Sequence, residues 1–169
     1  MKSQNEILKE LLLPFFGPTV SVSIEENTPN NFFPEVMMWN FQLKTVLPDG
    51  VIKITGEERI ALLKEQKSAA FWCFGLNAFM YFWKNQQHIP VEAKEEINEK
   101  PKILLFDGII FRLNDQRRYV LGLVWGNKKW HYYCSPLDGE YGSNFYSAVF
   151  EKKNKKVMPQ EQEKRVLVY

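Results

Sequence analysis

Ile7, Leu8, Leu11 and Leu12 recur at helical spacing behind Ser3-Gln4-Asn5-Glu6, and together they predict a first helix over residues 4–13. The Ser-x-x-Glu order is that of a capping box, in which the Ser oxygen accepts from an orphan amide and the Glu carboxylate reaches back. Pro14 is expected to stop this helix. From Thr19 to Ile24 the pattern changes to alternation, with Val20, Val22 and Ile24 on one face, which predicts a strand. Residues 25–34 are rich in Asn and Pro and read as a loop. Residues 35–46 and 51–55 flank Pro48-Asp49-Gly50, where Pro presets φ and Gly supplies a positive φ, so a hairpin is expected. Thr55-Gly56-Glu57-Glu58 forms a second capping box, and Ile60, Leu62 and Leu63 carry a helix from it to Lys67.

The segment 68–86 is apolar on all sides, with Ala69, Phe71, Trp72, Phe74, Phe79 and Phe82 among its residues. A helix without a polar face must be enclosed, so 68–86 is expected as a buried central helix. Its apolar run is shorter than the roughly 20 residues that cross a bilayer. Pro90 can open a short charged helix over 91–100. After Pro101 the pattern becomes strand-like. Residues 103–106 and 109–113 flank Asp107-Gly108, which reads as a hairpin, or as one long strand with a glycine bulge. Residues 118–125 and 129–134 flank Gly126-Asn127-Lys128 and predict another hairpin. Residues 145–150 and 166–168 read as further strands, with a charged loop or edge over 151–164. The order of elements predicts one α+β domain: an antiparallel sheet of five to seven strands on the 68–86 helix, with the N-terminal helix beside it.

Composition narrows the class. The chain has 169 residues, 45% of them apolar, with 13 Phe, 7 Tyr and 5 Trp, far too aromatic for a disordered chain. Its net charge of +2 conceals an asymmetry: residues 1–100 hold 10 basic and 13 acidic side chains, residues 101–169 hold 12 and 7. Two cysteines, Cys73 and Cys134, do not make a disulfide framework. With His88 and His131 as the available imidazoles and no Cys-x-x-Cys pair, no metal site is expected, and no phosphate-loop or nucleophile-elbow motif points to a cofactor. Glu92, Glu95, Glu96 and Glu99 share one helical face, which reads as solvated. No signal peptide, transmembrane helix or glycosylation sequon is apparent, so a cytoplasmic or other intracellular location is expected.

Three groups of residues carry candidate chemistry. Cys73 early in an apolar helix, with His131 on a later strand, is compatible with the order of a cysteine hydrolase with Cys73 as nucleophile and His131 as base. Trp72-Cys73-Phe74-Gly75-Leu76 resembles the nucleophile segment of bacterial papain-like families. Tyr119-Val120-Leu121-Gly122, through Ser135-Pro136-Leu137-Asp138-Gly139, resembles their strand, hairpin and turn. The resemblance implies an active or degenerate hydrolase. It departs from the pattern where Arg118-Tyr119 replace the family's His and Ser135 its turn acid. A Cys in such surroundings also reads as a small buried hydrophobe.

The second group is basic and aromatic. Arg117, Arg118, Lys128, Lys129 and Lys152, Lys153, Lys155 and Lys156 could neutralise phosphates, while Trp130 and its aromatic neighbours could stack on bases. Single-stranded nucleic acid is therefore a possible partner of the C-terminal half. The third is Phe32-Phe33, two Phe in a loop that could anchor a protein partner. The surplus of aromatics and the lack of a full catalytic set favour a small non-enzymatic binding or regulatory module that engages a protein.

Overall fold

The computed structural model describes residues 2–28, 41–67 and 71–151. The first helix, α1 (Gln4–Phe16), starts as the capping box dictates: the Glu6 amide donates to Ser3 Oγ at 3.3 Å and the Ser3 amide to Glu6 Oε2 at 2.6 Å. It runs through Pro14 instead of stopping there. Pro14 lies in the last turn, so the ring removes one backbone bond while Leu11 and Leu12 keep the apolar stripe buried. Gly17, at φ 76°, closes the helix by donating to the Leu13 carbonyl at 2.9 Å.

Seven strands form the main sheet: β1 (Ser23–Asn27), β2 (Phe41–Lys44), β4 (Phe71–Cys73), β7 (Ile103–Arg112), β8 (Arg118–Gly126), β9 (Lys129–Pro136) and β11 (Phe145–Glu151). Its backbone order is β2-β11-β7-β8-β9, with β1 added to β7 and β4 to β11. Two small ladders complete it: β3 (Lys53–Thr55) with β10 (Glu140–Gly142), and β5 (Glu96–Ile97) with β6 (Lys100–Pro101). Helices α1 and α3 (Leu76–Lys84) pack on one face through Leu8, Leu12, Phe79 and Phe82. Helix α2 (Gly56–Lys67) packs on the other through Ile60 and Leu63. Thr55 and Glu58 cap α2 as the sequence predicts, with the Glu58 amide 3.2 Å from Thr55 Oγ1. Fully burying each such Leu or Phe contributes about 1.5–3 kcal/mol.

The sheet forks at Asp107-Gly108. Strands β7 and β11 run parallel, pairing Phe145 with Ile103 through Ser147 with Leu105. Three residues of β7, Asp107 to Ile109, then have no counterpart on β8. Past this bulge β7 takes β1 as its neighbour, and β11 takes β4. The fork is sealed by backbone: the Gly108 amide donates to the Phe74 carbonyl at 2.9 Å, and the Phe74 amide to the Ala148 carbonyl at 3.1 Å. On the α2 side, the Arg59 guanidinium bonds both carboxylate oxygens of Asp107 (Nη2 to Oδ2, 2.8 Å) and the Ser147 hydroxyl. Arg59 is 2% exposed and Ser147 is fully buried. The Tyr141 ring lies 5.8 Å from the guanidinium carbon, within cation–π range.

Several expectations are corrected here. The sheet is mixed, because β11 and β7 are parallel. The 68–86 helix is a strand at 71–73 followed by a shorter helix at 76–84; residues 68–70 lie outside the described residues. Phe71 and Cys73 instead fill the edge that β7 vacates on β11, with Gly75 separating strand from helix. Asp107-Gly108 is the bulge and not the hairpin, since neither residue has the positive φ that a type I′ turn requires. Residues 41–46 and 51–55 do not pair with each other: β2 joins β11, and β3 joins β10. Residues 35–40 and 166–168 lie outside the described residues. The charged helix over 91–100 is one 3₁₀ turn, Val91–Lys94, then the β5–β6 ladder around Asn98 and Glu99 at φ 50° and 61°. Four Glu at i, i+3, i+4 and i+7 would have set like charges along one helical face. The 118–126 and 129–136 hairpin forms as expected, on a type I′ turn with Asn127 and Lys128 at φ 51° and 60°.

Two stability predictions follow from the fork. Asp107→Ala should destabilise the fold by about 3–5 kcal/mol, the cost of leaving a buried Arg unpaired. The double variant Arg59→Met/Asp107→Leu should recover much of that loss in urea unfolding; an additive loss would refute the reading. Gly108→Ala places a Cβ 2.5 Å from the Cys73 carbonyl oxygen and 2.7 Å from the Phe74 carbonyl. It should cost on the order of 1–3 kcal/mol, whereas Gly126→Ala, with nothing within 4 Å, should stay within about 0.5 kcal/mol.

Candidate functional site

Cys73 and His131 are not brought together. Cys73 is 2% exposed on β4, beside Val149 of β11. His131 is on β9 opposite Val124, and its Nε2 donates to the Gly126 carbonyl of its own hairpin at 3.1 Å. Strands β11, β7 and β8 stand between them in the sheet order. Even from β7, which touches the end of β4, two strand steps totalling roughly 10 Å remain to β9. Cys73 lies at the end of strand β4, not inside a helix; α3 begins after it, at the Gly75 cap. The second thiol, Cys134, is pushed up to about 12 by burial, which leaves almost no thiolate at neutral pH.

The basic–aromatic group is divided. Arg117 pairs with Asp138 (Nε to Oδ2, 2.9 Å). Arg118 bonds Glu25 at 2.7 Å and Glu57 across the α2 start. Burial pushes the Glu25 carboxyl up, but the guanidinium bonds from Arg118 and Arg112 outweigh it and hold the carboxyl below the ordinary range. Trp130 is a core residue, 4% exposed, edge-on to Trp125 at 5.5 Å. Lys128 and Lys129 are exposed at the β8–β9 turn and form no ion pair among the described residues. Phe32, Phe33, Lys152, Lys153, Lys155 and Lys156 lie outside the described residues. Among the described residues no cluster of His, Cys, Asp and Glu is placed to hold a metal, and no helix is long and apolar enough to cross a membrane.

The most distinctive surface lies at the C-terminal end of α1. Leu8, Leu11, Leu12, Phe15 and Phe16 form one helical stripe, whose last turn is only half covered. Leu8 and Leu12 are fully buried, while Phe15 is 47% and Phe16 40% exposed, next to Leu13 at 39%. Phe15 meets Tyr132 edge-on at 5.4 Å, and Phe16 meets Tyr119 at 6.0 Å. Beside them runs a shallow groove of about 190 Å³, open to solvent and lined by Phe16, Thr19, Val20, Leu113, Asn114 and Asp115. Its far wall is held by hydrogen bonds: Asn114 Nδ2 donates to the Thr19 carbonyl at 3.0 Å and the Gln116 amide to the Leu113 carbonyl at 3.0 Å.

Asp115 sits at the rim with an exposed carboxylate. The Tyr119 hydroxyl donates to it at 2.6 Å and holds the carboxyl below its ordinary range. The Tyr119 phenol is in turn pushed up to about 12, by burial first and by that bond second. Asp115 makes no ion pair among the described residues, while its neighbours Asp138 and Glu25 are both neutralised by Arg. The arrangement suits binding: an apolar floor, a fixed wall and an exposed carboxylate that makes no ion pair among the described residues, with the Arg117 charge acting on it only through space. The sequence pattern contained a signal for it, since Phe15 and Phe16 continue the spacing of Leu8, Leu11 and Leu12 past Pro14.

At pH 7 the folded protein should react slowly with a disulfide-exchange thiol probe, and both thiols should titrate rapidly after denaturation. A fast native-state reaction assigned to Cys73 by mass spectrometry would restore the nucleophile reading. Comparison with known protein families, curated proteins and solved structures finds no match to this chain.

Proposed function

We propose that this chain is a small intracellular binding module that engages a protein partner through the apolar end of α1 and carries out no catalysis itself. The observation that supports it is the run of half-exposed Leu13, Phe15 and Phe16 beside a preformed groove. Large aromatics left half in water lose part of their burial energy, and Phe and Tyr are the residues that anchor protein interfaces. The groove wall is already hydrogen-bonded, so a partner would pay little ordering entropy there. The separation of Cys73 from His131 and the pairing of Arg117 and Arg118 leave the hydrolase and nucleic-acid readings with less support.

The test is affinity purification of the full chain from its native cells, wild type against Phe15→Asp/Phe16→Asp, with both proteins checked for an unchanged circular dichroism spectrum. A discrete partner should co-purify with the wild type and be lost with the double variant. Val91→Asp, at another exposed apolar position, should retain it. A partner kept by Phe15→Asp/Phe16→Asp, or none with either protein, would refute the proposal.

A further inference from the structure

We infer that the groove beside α1 takes a segment of the partner protein in which an apolar anchor residue is flanked by Lys or Arg. This rests on the binding reading above and adds the partner's chemistry. The floor is set by Phe16, Val20 and Leu113, which offer a large aliphatic or aromatic side chain an apolar surface, with Thr19, Asn114 and Asp115 lining the groove beside them. Its volume of about 190 Å³ is below the roughly 300–1,000 Å³ of small-molecule pockets, so it suits a single anchoring side chain and not a whole small ligand.

The charge follows from Asp115. Two of its possible hydrogen bonds are used, from the Tyr119 hydroxyl at 2.6 Å and the Arg117 amide at 3.0 Å, and both come from inside the wall. A carboxylate has about four acceptor positions, so those facing solvent are open to an incoming cation. The Arg117 guanidinium acts on Asp115 through space, but its hydrogen bonds go to both oxygens of Asp138. Glu25, further along the same edge, is committed to Arg112 and Arg118. Complementarity at the groove therefore asks for a positive group next to the anchor, although the chain as a whole carries a net charge of +2 and would attract anions at long range.

Two fluorescein-labelled peptides test this by anisotropy on the full chain at low salt: Lys-Lys-Leu-Phe-Leu-Lys-Lys, and the same apolar core flanked by Glu. The basic peptide should bind about three- to fivefold more tightly, the size of one exposed ion pair, and the preference should fade as salt rises. Phe16→Ser should abolish binding of both peptides. Asp115→Asn, which keeps the acceptor for Tyr119, should erase the preference while leaving the apolar core's affinity and the thermal midpoint in place. Equal affinities for the two peptides, a preference that survives Asp115→Asn, or tighter binding of the acidic peptide would overturn the inference. A concentration-dependent dimer that Phe16→Ser dissociates in sedimentation would also overturn it, because the occupant would then be a second copy of this chain. If the α1 partner co-purifies yet the peptides show no preference, the binding module stands and its basic selectivity falls.

Discussion

The fold turns on the buried contact of Arg59 with Asp107 and Ser147. Two parallel strands, β7 and β11, separate at this point, and one guanidinium from α2 bonds a side chain on each of them. A buried ion pair adds little stability compared with a well-packed apolar replacement, because desolvation offsets the attraction. What it does here is geometric. The carboxylate and the hydroxyl must lie side by side to share the fork of one planar cation, which sets where β7 and β11 diverge. Gly108 then lets the Phe74 backbone enter the gap, and β4 and β1 take the edges that the divergence exposes.

Once the fork is in place, most of the aromatic surplus is accounted for. Phe74, Phe82 and Phe41 meet within 6 Å of one another, Phe79 meets Phe106 at 5.1 Å, and Trp83 meets Tyr132 at 4.7 Å. The charge asymmetry between the halves is also largely internal. Arg112 and Arg118 from the basic half bond Glu25 and Glu57 from the acidic half, and Lys53 bonds Glu140 in the opposite sense. These contacts cross the chain's two compositional regions, which the β1–β7 and β2–β11 ladders join in the main sheet. Phe15, Phe16 and Asp115 remain half-exposed or exposed near the C-terminal end of α1.

The half-exposed end of α1 is only partly legible in the sequence. Phe15 and Phe16 continue a helical stripe, but where the stripe stops being covered depends on how far the sheet extends under α1. Asp115 looks ordinary in sequence; it matters because Arg117 turns to Asp138 and Tyr119 turns to Asp115. Trp130 illustrates the opposite error. Beside two lysines at a hairpin tip it resembles a stacking platform, yet strand alternation aims its ring into the core while Lys129 points outward.

By itself the sequence determined what local forces decide: both capping boxes, the Asn127-Lys128 turn and the α+β class, since each depends on residues a few positions apart. The alternation of Val20, Val22 and Ile24 marked a core-facing run, but the strand expected over residues 19–24 forms instead at Ser23–Asn27. Only the tertiary structure decided the rest. Phe71 to Cys73 are apolar enough for helix or strand, and the open edge of β11 made them a strand. Asp107-Gly108 suits a hairpin or a bulge, and a buried Arg 48 residues earlier chose the bulge. Cys73 and His131 are in the order of a catalytic pair, and the strands laid between them keep them apart. In each case the local preferences were nearly balanced, so contacts distant in the chain set the outcome.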